Sequence, residues 1–189
     1  MLLDDILVHN QKFVEDKAYT PYETDKFPSK KAVILTCMDA RLLELLPKAV
    51  NLKNGDAKII QNAGAMLVDT SDSAMKSILV AVHALKGEEV FVIGHKDCGM
   101  HHLHGADLLE QIGKQGGDVE TYLRQADSED VANTWFNGFN SVEESVESSA
   151  SLIANHPLLP TNVPVHALVI DPATGELTTI RNGYEKTNN

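Results

Sequence analysis

The sequence predicts an α/β fold, with a mainly parallel central β-sheet flanked by helices and an antiparallel C-terminal edge strand. Three observations predict it. Short, continuously apolar runs such as Ala32-Val33-Ile34-Leu35 suit strands buried on both faces of a sheet. These runs alternate with stretches of helical length, the pattern of right-handed β-α-β units. The last two strand-like runs are joined by Asp171-Pro172-Ala173-Thr174-Gly175, a turn that brings the chain back beside itself.

Taken in order, Leu2 to Lys17 reads as an amphipathic helix, with Leu3, Ile6, Leu7, Phe13 and Val14 mostly at helical spacing and Asn10 the polar exception on that face. A polar stretch follows and ends at Pro28. Lys31 to Thr36 is the first strand, and Leu42 to Val50 a helix that Pro47 shortens or kinks. Ala57 to Gln61 is the second strand. Ser71 to Lys86 is a helix with a Ser or Asp cap and Gly87 at its end. Glu89 to Ile93 is the third strand. From Gly99 to about Asn155 the chain is polar and helical, interrupted at Gly116-Gly117. Pro164 to Ile170 and Glu176 to Ile180 complete the sheet. The whole chain, 1–189, reads as one domain.

Composition bounds the function. The chain has 189 residues, of which 43% are hydrophobic, enough for a buried core. Aromatic residues are 5%, so that core rests on Val, Ile, Leu and Ala. The formal net charge of −11 makes binding to a nucleic-acid backbone a poor reading. The start, Met1-Leu2-Leu3-Asp4-Asp5, lacks the basic and apolar parts of a secretory signal, and the apolar run near Ala32 to Met38 is too short to span a bilayer. The expectation is a soluble, cytoplasmic protein with neither nucleic acid nor membrane as partner.

Chemistry gathers outside the carboxyl ends of parallel strands, and both cysteines of the chain follow strands. Cys37 lies in Thr36-Cys37-Met38-Asp39-Ala40-Arg41. His95 and Cys98 lie in Gly94-His95-Lys96-Asp97-Cys98-Gly99. The cysteines are 61 residues apart and meet only if their strands are neighbours. Two thiolates and one imidazole make three of the four ligands that tetrahedral zinc takes. Three protein ligands with an open position mark a catalytic site rather than a structural one. Singly, each cysteine also fits as a small buried apolar side chain. Lys96 and Asp97 read mainly as loop geometry and surface charge, with a hydrogen bond from Asp97 behind a ligand as the alternative.

Cys-x-Asp-x-Arg, then Asn-Ala-Gly, then His-x-x-Cys, in this order, resembles the β-class carbonic anhydrases, and most closely their short bacterial members. The resemblance spans most of the chain. It implies zinc on Cys37, His95 and Cys98, an Asp39–Arg41 pair beside the metal-bound water, and reversible hydration of carbon dioxide to bicarbonate and a proton by zinc-bound hydroxide. It also implies a mainly parallel sheet and a homodimer or higher homo-oligomer, with helix 2–17 packed on the partner subunit. Gln61, Ala65 and Met100 stand where many members carry other residues; none is a ligand or part of the pair.

Two thiolates offset the charge of zinc, so Asp39 is expected to orient the nucleophile and Arg41 to hold the Asp39 carboxylate off the metal. Gly64 permits close backbone approach, and its N–H is a candidate substrate donor; a plain strand-to-helix turn is the alternative. His101, with His102 and His104 nearby, is a candidate proton shuttle, the alternative being a solvated helix start. Three rivals remain open: a hydrolase of carbon disulfide or carbonyl sulfide on the same scaffold, a non-catalytic zinc-binding regulatory protein, and a redox pair of Cys37 with Cys98. The apolar face of the leading helix needs burial against either a partner subunit or its own sheet.

Overall fold

The computed structural model describes residues 1–126 and 129–185. Five strands form one sheet: β1 (Ala32–Cys37), β2 (Ala57–Asn62), β3 (Glu89–His95), β4 (Val165–Ile170) and β5 (Leu177–Arg181). Their spatial order is β2-β1-β3-β4-β5. The first four are mutually parallel, and β5 runs antiparallel to β4. The helices are α1 (Leu2–Glu15), α2 (Leu42–Ala49), α3 (Ser73–Leu85), α4 (Gly105–Lys114), α5 (Val119–Gln125), α6 (Glu129–Trp135) and α7 (Val142–Ala154). This is the mainly parallel sheet with an antiparallel C-terminal edge that the sequence predicts.

Every residue of β1 is buried, which is why its apolar run shows no alternation. Alternate residues still feed two cores. Val33, Leu35, Val90, Val92, Ala167 and Val169 pack against Ile78 of α3 and Ile153 of α7. Ile34, Ile93 and Ile170 face the opposite way and pack with Leu42 and Leu46 of α2. Gly94 lets α7 lie directly on β3. A Cβ there would come within 2.7 Å of Val146 and 2.8 Å of Val142, so a side chain at 94 would lift α7 off the sheet beside His95.

Several boundaries differ from the sequence reading, each for a local reason. The first helix stops at Glu15 rather than Lys17, because Lys17 enters the left-handed region at φ 54°. α3 begins after Asp72, whose carboxylate accepts from the Ala74 N–H. At its other end Lys86, not Gly87, takes the left-handed turn (φ 62°), and the Gly87 N–H closes the helix on Ala81 O. Pro47 sits inside α2, which ends two residues later at Ala49. β1 and β3 continue one and two residues past the expected ends at Thr36 and Ile93, because the ladder continues. Met38 N–H donates to Asn62 O, and Lys96 N–H to Ile170 O. Cys37 and His95 are therefore the last residues of their strands rather than loop residues.

Helix α1 is not docked on this chain's own sheet. None of its residues is buried, and Leu2, Leu3, Ile6, Leu7, Val8 and Val14 are exposed. Among the described residues, no helix is long and apolar enough to cross a membrane.

Candidate metal centre

Parallel pairing aligns Thr36 on β1 with Ile93 on β3, so Cys37 and His95 emerge at the same end of adjacent central strands. The buried Thr36 hydroxyl donates to Ile93 O at 2.9 Å and ties the two strands just below the site. Beyond His95 the chain turns through Lys96 and Asp97, the latter at φ 54°, and delivers Cys98 to the same point. All three ligands are buried, with ligand atoms within 4.8 Å of one another. No other group of three such residues that could hold a metal occurs among the described residues.

The donor set fits zinc in two independent ways. Two sulfurs bound at about 2.3 Å to one tetrahedral zinc lie about 3.8 Å apart; Cys37 Sγ and Cys98 Sγ are 3.8 Å apart. The second is an orphaned polar atom. His95 Nδ1 pairs with Lys96 O at 2.8 Å, which places its proton on that nitrogen. Its Nε2 is buried with no hydrogen-bond partner and faces the two sulfurs. A buried unpaired nitrogen is costly, and a metal ion removes that cost.

The protein also prepares the thiols. Cys98 shares its hydrogen with Cys37, and the Gly64 N–H points at Cys37 Sγ from 3.4 Å. These contacts outweigh burial and lower the Cys37 pKa, while the neighbouring thiolate, together with burial, raises that of Cys98. Burial opposes charging His95, but the Cys37 thiolate, the Lys96 carbonyl and Asp39 together raise its pKa. The lowered Cys37 pKa favours the thiolate, the form that binds a metal.

Gly64 reaches the sulfur because it adopts φ 82°, open to glycine at little cost. Asn62 fixes the turn on both sides, donating to Met66 O and accepting from the Met66 N–H. The sequence reading offered the Gly64 N–H as a donor to substrate. The structure gives that N–H an acceptor on the chain itself, the Cys37 sulfur.

Asp39 and Arg41 stand beside the ligands. Asp39 Oδ1 accepts from the Arg41 backbone N–H, an Asx-type turn that positions both side chains. Arg41 then grips the same carboxylate through Nε at 3.0 Å and NH2 at 2.8 Å. These bonds pull the Asp39 pKa down to about 2. Asp39 Oδ2 lies 3.7 Å from His95 Nε2, next to the ligand cluster without being needed to complete it. Arg41 has a second partner that sequence reasoning passed over. Asp97 offers it both Oδ2 and its backbone oxygen, each at 2.8 Å. The signal was an acidic residue in the His-x-x-Cys loop, but a pairing across 56 residues is not visible in spacing.

A cleft of about 800 Å³ opens beside the cluster. Met38, Asn62, Ala63, Met66 and Met100 line its side nearest the ligand-bearing segments, and Trp135 and Phe136 line it too. His101 does not line this cleft. It is exposed, with Nε2 3.0 Å from Asn140 O and its ring tilted at 34° to that of His102, centroids 3.8 Å apart.

A mainly parallel α/β sheet, with a Cys-His-Cys group at its strand ends that could hold a metal and a carboxylate–guanidinium pair beside it, defines the class. The chain belongs to the carbonic anhydrase family: the family model described as "Carbonic anhydrase" matches residues 32–177. Two Bacillus subtilis proteins, YvdA and YtiB, each carrying a provisional carbonic anhydrase name, are 54% and 52% identical to it. The alignments cover 97% of this chain in both cases, and 93% and 98% of those proteins. The crystal structure of β-carbonic anhydrase isoform I from Trichomonas vaginalis is similar at 34% identity and a TM-score of 0.85, covering 97% of this chain and 100% of that one.

The Arg41 contact predicts a pH dependence. Folding holds Asp39 ionised down to about pH 2, whereas an unfolded aspartate takes up its proton near pH 4. The pair therefore stabilises the fold above about pH 4, and this contribution fades as pH falls from about 4 to about 2. Arg41→Ala should lose less stability than the parent on acidification from about pH 6 to about pH 3, read as urea midpoints at fixed protein concentration. Parallel losses in the two proteins would contradict it.

Proposed function

We propose that this chain catalyses the reversible hydration of carbon dioxide to bicarbonate and a proton, with zinc held by Cys37, His95 and Cys98. The observation that carries the reading is the orphaned Nε2 of His95, facing two sulfurs at the zinc-compatible spacing beside an ionised Asp39. Bound zinc supplies a Lewis acid that makes water acidic enough to act as a nucleophile near neutral pH.

The chain's own residues do the rest. Asp39, kept anionic by Arg41, accepts a hydrogen bond from the attacking water and fixes the direction of its lone pair. Arg41 keeps that carboxylate beside the ligands, where it would otherwise complete the coordination and block the site. Gly64 donates to the Cys37 sulfur and moderates its charge. The apolar side chains of Met38, Ala63, Met66 and Met100 on the near side of the cleft suit a small, linear, apolar substrate. Carbon disulfide and carbonyl sulfide share that shape; the two relatives above half identity carry the carbonic anhydrase name.

We propose further that His101, exposed three residues beyond Cys98, passes the released proton to solvent. The assembly we favour is a homodimer in the cytoplasm, in which α1 buries its apolar face on the partner. Its support is that this face lies uncovered on the single chain.

Three measurements test these statements. Stopped-flow hydration of carbon dioxide should scale with zinc at about one ion per chain and vanish on chelation. Full zinc occupancy with no carbon dioxide turnover, but with hydrolysis of carbon disulfide, would replace the reading with its rival. His101→Ala should lose turnover in dilute buffer and regain it with added imidazole, and buffer-independent turnover would remove His101 from the proton path. Deletion of residues 2–17 should convert a dimer into a monomer by light scattering, whereas an unchanged dimer would place the interface elsewhere.

A further inference from the structure

The His-x-x-Cys loop contributes more than two ligands. Its third residue, Asp97, is largely exposed, at 85%, touches no ligand atom by hydrogen bond, and adopts the left-handed backbone region at φ 54°. Aspartate is among the few non-glycine residues that enter that region readily. The turn aims two oxygens of one residue at a single guanidinium: Oδ2 takes NH1 and the backbone oxygen takes NH2, both at 2.8 Å. With the two bonds from Nε and NH2 to Asp39, four of the five guanidinium N–H groups are engaged, half of them by Asp97.

This arrangement closes a geometric loop. Arg41 and Asp39 lie on the segment after β1, which carries Cys37. Asp97 lies on the segment after β3, between His95 and Cys98. The Lys96 ammonium, bonded to Asp171 at 3.1 Å, and the Lys96 N–H on Ile170 O fix that second segment to β4 and the turn after it. Arg41 is thus referenced to the part of the sheet that holds two of the three ligands. Asp39 alone cannot supply this reference, because Asp39 and Arg41 are two residues apart and can move as a unit. Such a unit has little distance to cover, since Asp39 Oδ2 is already 3.7 Å from His95 Nε2.

We propose that Asp97 is a positioning residue for the reaction: it anchors Arg41 to the ligand-bearing loop and thereby keeps the Asp39 carboxylate beside the metal position rather than on it. The inference rests on the zinc reading above. It assigns Asp97 no contact with substrate and no proton transfer. Its effect is on how often the fourth coordination position is free.

The test uses three variants of the full chain, each loaded with zinc for turnover and with cobalt(II) for spectroscopy. Asp97→Gly keeps the left-handed turn and the backbone oxygen but removes the carboxylate. Asp97→Lys, also compatible with positive φ in this chain (Lys31 and Lys86 adopt it), puts like charge against Arg41. Asp97→Asn keeps an oxygen for NH1. Glycine should lower kcat about tenfold, the size of one lost charge-assisted hydrogen bond, with metal content and melting temperature near those of the parent. Lysine should lower it further, and asparagine should recover most of the loss. The independent readout is titration of the cobalt ligand-field bands with thiocyanate, a small anion that competes for the fourth position. The glycine and lysine variants should need about tenfold more thiocyanate for half the shift, because Asp39 occupies that position more often. Parent-like kcat and thiocyanate response in both variants would overturn the role of Asp97. Absence of a thiolate-to-cobalt charge-transfer band in the parent itself would instead overturn the ligand set, so the two failures are distinguishable.

Discussion

Parallel pairing of β1 with β3 brings Cys37 and His95 out at one end of the sheet, on strands whose backbones are hydrogen-bonded neighbours. The other features of the centre depend on that adjacency. Two strands whose paired residues lie 57 positions apart in sequence become a rigid bracket, because both strands are central and packed on both faces. A site built on strand ends inherits their precision, and the loops need only add Cys98 and the Asp39–Arg41 pair. The close seat of α7 on Gly94 serves the same end, fixing β3 at the residue next to a ligand.

Burying two sulfurs and an imidazole without a hydrogen-bond partner for Nε2 is a local violation of the rules that stabilise the rest of the core. Other buried polar groups are paired, as with Thr36 on Ile93 O and Ser149 on the Leu67 N–H, and His166 Nε2, which also lacks a hydrogen-bond partner, lies 2.9 Å from the Glu89 carboxylate. Such violations collect where function requires them. Here the unsatisfied atom, the lowered Cys37 pKa and the ionised Asp39 all act in one direction, toward a cation. The asymmetry of the thiol pair has a simple origin: two sulfurs 3.8 Å apart cannot both ionise without a positive charge between them.

Much of this was legible in the sequence, and the reasons are specific. The four-residue run Ala32-Val33-Ile34-Leu35 announced a central strand because burial on both faces leaves no polar alternation. The grouping of Cys37, His95 and Cys98, which could hold a metal, was legible because its spacing carries chemistry that isolated cysteines do not. Strand ends were less legible. Cys37, Gly94 and His95 are not strand-forming by type, and the ladder bonds that extend β1 and β3 over them come from neighbours distant in sequence. The acceptor of the Gly64 N–H and the second partner of Arg41 were hidden for the same reason. Each is a pairing between segments, set by the sheet and not by local pattern. Lys86 taking the turn reserved for Gly87 is a different failure, since propensity ranks residues but does not fix which of two neighbours adopts positive φ.

The exposed ion pair of Arg41 with Asp97 separates geometry from stability. Arg41 is 45% exposed and Asp97 85%, so their attraction is screened by water and adds little to folding. A planar guanidinium held by two carboxylates and a carbonyl is nevertheless fixed in direction, because its donors lie in one rigid fork. What the contacts provide is the orientation of Asp39 relative to His95, whose Nε2 the carboxylate already approaches to 3.7 Å. A buried pair would fix that orientation too, but at a large desolvation cost and with less freedom for water to enter and bicarbonate to leave. A solvent-exposed clamp on a buried donor set keeps the ligands dry and the exchange side wet, the division that a hydration reaction needs.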